Sequence, residues 1–183
     1  MGSRALIPNL IVHAHVQNQG YGGANRTGCR LAKQHGFDYG LVMDADGTQG
    51  VEFIGRFLEP MRRGVDFIKA TRYAKGGRVV GVHWKRRLVS RVGNKLAQWL
   101  MGVPLTDFTN GFRAIRTEVW ARLETTERNF AMLIEEVHLA KKLKVTFGDV
   151  HYVLTVRPKN GGASKFVYSL SVYKRYAQYL FKR

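Results

Sequence analysis

The sequence predicts an α/β domain: a mostly parallel sheet flanked by helices. Three observations lead there. Short apolar runs of strand length alternate with stretches of helical periodicity over residues 10–71, in the order strand, helix, strand, helix, strand. The chain has 183 residues, enough for one ordinary domain with a real core. With 45% hydrophobic and 23% charged residues, its composition is globular rather than disordered.

Residues 10–16 read as the first strand. Asn18-Gln19-Gly20-Tyr21-Gly22-Gly23 reads as a glycine-rich turn, and 24–34 as a helix ending near Gly36. The glycine spacing fits neither the P-loop nor the dinucleotide fingerprint, so a plain strand-to-helix turn is expected. A second strand covers residues 39–43. Residues 51–63 carry Phe53, Ile54, Phe57, Leu58 and Met61 at helical spacing, with Pro60 expected to kink or end the helix. Residues 66–71 read as a third strand and 72–81 as a cationic loop. Residues 84–101 read as a helix whose start is crowded by Lys85, Arg86, Arg87 and Arg91. Cations there oppose the helix dipole unless an anion is bound. Short helices are expected at 116–123 and 131–143, extended chain at 145–156, and a basic loop at 157–165. The tail 166–183 places Phe166, Leu170, Tyr173, Ala177 and Leu180 on one helical stripe beside cations, a pattern that suits a membrane interface or, equally, packing on the domain itself.

The stretch with the clearest chemistry is Leu41-Val42-Met43-Asp44-Ala45-Asp46-Gly47-Thr48-Gln49. An apolar strand ends in two carboxylates one residue apart, at the edge where open α/β sheets bind ligands. Such oxygens suit Mg²⁺ or Mn²⁺, with other positions left to water and substrate phosphates.

The formal net charge of +17 favours an anionic partner: nucleic acid, anionic lipid or a phosphorylated substrate. Zinc-ligand spacing, an RNP motif and basic heptads are all lacking, so nucleic acid is not expected. The single cysteine, Cys29, supports no internal disulfide framework. No run approaches the ~20 apolar residues of a membrane span, and no signal-peptide core is evident.

Taken together, these stretches resemble the family 2 glycosyltransferases of GT-A fold, and within them the dolichyl/polyprenyl-phosphate mannosyltransferase branch. The Asn18–Ala24 turn resembles the family's Asn-x-Gly-x-Gly-x-Ala, slightly shifted. Asp44-Ala45-Asp46 matches its Asp-x-Asp metal motif, and Thr71-Arg72-Tyr73 its Ser/Thr-Arg element, with Ala70 where glycine is usual. Arg86 and Ser90 match an Arg-x-x-x-Ser helix. Asp107-Phe108-Thr109-Asn110-Gly111-Phe112-Arg113 is close to Asp-x-Thr-Ser-Gly-Phe-Arg. Glu135 stands where the family has a helix glutamate. Arg157 with Ser164-Lys165 resembles an Arg…Gly-x-Ser-Lys loop, two residues longer here. The family's opening strands, which bind base and ribose, have no counterpart. The expectation is an N-terminally incomplete GT-A-like domain over 1–165, followed by an interfacial helix over 166–183, with weak and undiscriminating donor binding.

The resemblance implies inverting transfer of a hexose, mannose from GDP-mannose or another hexose from a UDP-sugar, to a polyprenyl or dolichyl phosphate. The implied setting is the cytoplasmic side of an anionic membrane surface. It assigns Asp44, Asp46 and, more weakly, Gln49 to a divalent metal on the leaving diphosphate. An acceptor phosphate monoester is already ionised, so cations rather than a base are required. Arg72, Arg86, Arg113 and Arg157 are the candidates, with Lys165 secondary, because the guanidinium fork suits phosphate. Asp107 and Glu135 either orient sugar hydroxyls or hold these arginines. Ser90, Thr109, Asn110 and Ser164 complete the expected substrate contacts. An acceptor with a sugar hydroxyl would instead need Asp107 or Glu135 as base. A catalytically inactive remnant is the remaining alternative.

Overall fold

A computed structural model of the chain describes residues 9–156 and 170–181. The elements, in order, are α1 (Gly20–Gln34), β1 (Tyr39–Val42), a 3-10 helix (Val51–Phe57) running into α2 (Leu58–Arg62), β2 (Phe67–Thr71), β3 (Arg78–Val79), α3 (Trp84–Met101), β4 (Arg113–Arg116), α4 (Thr117–Arg122), α5 (Met132–Lys142), β5 (Phe147–His151), β6 (Val153–Leu154) and α6 (Leu170–Phe181).

The main sheet has the order β1-β4-β2-β5. β2 and β5 pair in parallel, whereas β4 is inserted antiparallel to both β1 and β2. Hence β1, β2 and β5 share one direction and β4 opposes them. β4 is absent from the sequence reading, which split its residues between a loop and a helix. Its Arg-Ala-Ile-Arg composition hides it, yet Arg113, Ala114 and Ile115 are all buried.

The strand expected at 10–16 does not form. Among the described residues β1 pairs only with β4, so this run joins no ladder, and Leu10, Ile11 and Val12 are exposed. The expected glycine turn is also not a loop: Gly20, Gly22 and Gly23 form the first turns of α1. Gly22 packs there against backbone; a Cβ would lie 1.9 Å from the Glu127 carbonyl oxygen. The helix expected at 51–63 starts as a 3-10 helix, and Pro60 is the middle residue of the five-residue α2.

β2 sorts the core by alternation. Ile68 and Ala70 face a cluster with Phe53, Phe57, Phe112, Ala114, Val150 and Tyr152. Phe67 faces the opposite cluster with Leu105, Phe108, Ile115, Trp120, Ile134 and Val137. Lys69 lies between Phe67 and Thr71 in this alternation and is fully buried. α6 packs on α5 and α3. Tyr176 enters the second cluster, Leu180 packs against it, and Arg175 pairs with Glu127 at 2.8 Å. Leu170 and Tyr173 of the expected stripe fall on residues whose side chains are not described, and Phe166 lies outside the described residues, as do Arg157, Ser164 and Lys165.

Candidate active site

Strand direction gathers the motifs at one edge. β1, β2 and β5 end towards Asp44, Arg72 and Tyr152, and the opposed β4 begins there, preceded by the 106–112 loop. This is the carboxyl edge at which open α/β sheets bind ligands.

Asp44 follows β1 by two residues, and its backbone N–H donates to Gln49 Oε1 at 2.8 Å. Gln49 Nε2 donates back to Asp44 Oδ2 at 2.9 Å. Gln49 is buried and its amide oxygen is engaged, so it braces Asp44 and is not placed as a metal ligand. Asp46 Oδ1 accepts from both Thr48 N and Thr48 Oγ1, at 3.0 and 2.6 Å, which fixes the turn. Gly111 makes room for the Asp44 carboxylate: a Cβ would lie 3.0 Å from its Oδ2 and 2.8 Å from the Tyr21 hydroxyl. Asp44 and Asp46 thus offer hard oxygen donors at a partly open edge, a set that fits Mg²⁺ or Mn²⁺ with waters and phosphates completing the shell. Among the described residues no group of three or more His, Cys, Asp or Glu forms a metal cage.

Arg72 leaves the end of β2 and meets Asp107 in a bidentate pair, Nε to Oδ2 at 2.6 Å and Nη2 to Oδ1 at 2.7 Å. Nη2 also donates to Thr109 Oγ1 at 3.1 Å. Burial works against the Arg72 charge, but Asp107 more than offsets it and holds its pKa above the ordinary arginine range. Asp107 is fully buried, so it serves as the holder of this arginine. Arg72 lines a cavity of about 420 Å³ with Tyr73, Arg86, Arg87, Ser90 and Thr109 on its polar side. Ser90 Oγ accepts from the Tyr73 hydroxyl at 2.7 Å.

Other expected site residues turn out to be internal. Arg113 is 0% exposed. Its Nη1 donates to Gly111 O and Tyr21 Oη at 2.8 and 3.1 Å. Its Nη2 donates to Glu136 Oε1 and Asn25 Oδ1 at 2.8 and 2.9 Å. Nε and Glu136 Oε2 approach to 2.6 Å as an ion pair, without an aligned hydrogen bond. A guanidinium so enclosed does not reach a substrate phosphate. Glu135 is likewise buried: it accepts from Thr126 N, Thr126 Oγ1 and Glu127 N at 2.9, 2.7 and 2.9 Å. It pins the loop before α5, and its carboxylate is taken up by these bonds. Asn110 is buried, donating to Ala70 O at 2.6 Å and accepting from Tyr152 Oη at 3.2 Å.

Three residues missed by sequence reasoning hold the site. Asn94 of α3 accepts from Phe108 N at 2.6 Å. Tyr152 lies within electrostatic range of Arg72, Asp107 and Asp44; burial first, then Asp107 and Asp44, raise its pKa, and Arg72 opposes them. Lys69 donates to Phe108 O and Asn110 O at 3.1 and 2.9 Å, so it ties down the loop that carries Asp107 and Thr109. Burial, then nearby Arg113, lower its pKa to about 7. Its register partner Asp149 accepts from Thr106 N and Oγ1, and burial raises it to about 6. A lysine inside a short strand gives no sequence signal of such burial.

An α/β sheet with paired carboxylates and a clamped arginine at one edge offers groups suited to a divalent metal and to phosphate oxygens. The model for "Glycosyl transferase family 2" matches residues 4–123, and the chain belongs to that family. It is 29% identical over 177 residues to polyprenol monophosphomannose synthase of Mycolicibacterium smegmatis, covering 90% of this chain and 65% of that protein. It is 33% identical over 111 residues to undecaprenyl-phosphate mannosyltransferase of Micrococcus luteus, covering 61% of this chain and 45% of that protein. The chain thus spans less than two thirds of the length of either relative.

Proposed function

We propose that the protein transfers a hexose, mannose from GDP-mannose first among the donors, to a polyprenyl or dolichyl phosphate with inversion at the anomeric carbon. The observation that carries this reading is the fate of the two candidate bases. A sugar-hydroxyl acceptor needs a carboxylate to take its proton. Asp107 is buried in its pair with Arg72, and Glu135 is buried under loop hydrogen bonds. A phosphate monoester acceptor needs no base; it needs fixed cations, and Arg72 is one.

A phosphate oxygen of the acceptor forms the bond to the anomeric carbon, and the bond from that carbon to the donor diphosphate breaks. Arg72, oriented by Asp107, holds the acceptor oxygens, with Arg86 and Ser90 on the same cavity. Asp44 and Asp46 would hold a divalent metal, which when bound neutralises charge on the leaving diphosphate. The names of the two relatives, a polyprenol-linked synthase and an undecaprenyl-phosphate transferase, support the acceptor class. The test supplies labelled GDP-mannose and Mn²⁺ with either undecaprenyl phosphate or undecaprenol in detergent. Label in a charged lipid-linked product from the phosphate alone is expected. Transfer to the alcohol, or to a water-soluble sugar, would contradict the reading.

A further inference from the structure

Tyr21 brings a hydroxyl from α1 to the carboxyl edge of the sheet. It is the second residue of that helix, whose start is fixed by two bonds. Asn18 Oδ1 accepts from Gly20 N at 2.8 Å, and Gly22 N donates to Arg128 O at 2.9 Å. The Tyr21 ring packs on Phe130, with centroids 5.0 Å apart. Its Oη accepts from Arg113 Nη1 at 3.1 Å, so the phenol's own proton points elsewhere. That proton meets no acceptor among the described residues. The hydroxyl faces Asp44 across Gly111. A Cβ on Gly111 would lie 2.8 Å from Tyr21 Oη, and 3.0 and 3.4 Å from Asp44 Oδ2 and Oδ1. Any side chain at position 111 would stand between the two groups, and Asp44 lies within electrostatic range of the hydroxyl.

We propose that Tyr21 is a positioning residue for the Asp44 carboxylate and that, with Gln49, it sets the affinity of that carboxylate for a divalent cation. The inference rests on the metal role proposed for Asp44 and Asp46. Gln49 Nε2 already donates to Asp44 Oδ2 at 2.9 Å. An ionised carboxylate has about four acceptor sites, so a second donor finds room. Arg113 strengthens that donor, because a hydroxyl that accepts from a cation gives up its own proton to a hydrogen bond more readily. Donors behind a ligating carboxylate fix its orientation, and losing one costs about 10–100-fold in metal affinity. The line Glu136, Arg113, Tyr21, Asp44 thereby links α5, β4 and α1 to the loop after β1. It gives the buried Arg113–Glu136 pair an influence on the site without contact to substrate.

Mn²⁺ binding to the protein alone, read from the electron paramagnetic resonance of the free ion, tests this without a sugar nucleotide. The unmodified protein should bind Mn²⁺. Tyr21→Phe keeps the ring and loses only the hydroxyl; it should weaken binding at least tenfold while the circular dichroism spectrum stays unchanged. Mg²⁺ should perturb the tyrosine absorption band of the unmodified protein, and this difference should shrink in Tyr21→Phe. Phe130→Leu removes the packing and keeps the hydroxyl, and should change Mn²⁺ affinity less than threefold. Equal affinity in Tyr21→Phe would overturn the inference and leave the metal assignment standing. An equal loss in Phe130→Leu would also overturn it, since Tyr21 would then act by packing. No Mn²⁺ binding by the unmodified protein would overturn the metal assignment and the inference with it.

Discussion

Arg113 shows how far a motif can be read from its letters alone. The Gly-Phe-Arg ending of its loop was legible, and its place in the site followed from resemblance. Burial was not legible, because the partner Glu136 lies 23 residues away on α5. Burial works against the Arg113 charge, and Glu136 more than offsets that cost. Removing one member of such a pair strands the other. Glu136→Gln should therefore lower unfolding free energy by about 3–5 kcal/mol, read from the urea midpoint. An unchanged midpoint with lost activity would return Arg113 to the substrate. Lys69 makes a second residue-scale claim. Its folded pKa of about 7 lies below the ordinary 10.5, so between these values the unfolded chain binds the more protons. Stability should then rise as pH climbs from 7 to 9. In Lys69→Met that share of the rise should vanish; an identical slope in both proteins would show that Lys69 is not buried as described.

Element by element, legibility followed periodicity and stop signals. The apolar periodicity of residues 84–101 marks α3 at its observed bounds, and Gly102 ends it at φ 62°, a left-handed conformation that glycine adopts freely. β4 was not read, because four residues with two arginines show no strand pattern, and its burial comes from neighbours on both sides. The run at 10–16 has strand composition, yet composition cannot supply a pairing partner. α6 was read as a helix, but its periodicity could not say what its stripe touches. Its anchors are the Glu127 bonds from Arg175 and Tyr179, at 2.8 and 2.9 Å. Glu127→Gln should weaken both. Amide hydrogen exchange over Leu170–Phe181 should then speed several-fold while exchange in β2 stays slow. Equal protection in the variant would mean that apolar packing alone holds α6.

At the scale of the whole molecule, the carboxyl edge of the sheet carries the account. In the proposed transfer, Asp44 and Asp46 on one side and Arg72 with Asp107 on the other would face reactants that both bear phosphate, and the excess of cations over acids suits two such anions. No described helix is long and apolar enough to cross a membrane. The central claim is that Arg72, clamped by Asp107, holds the acceptor phosphate. It is tested most directly by steady-state transfer from GDP-mannose to undecaprenyl phosphate with Arg72→Lys, which keeps the charge and loses the fork. The account predicts at least a tenfold fall in kcat/KM for the lipid phosphate, about 1.4 kcal/mol, with an unchanged KM for the donor. Transfer by Arg72→Lys at the unmodified rate would contradict it.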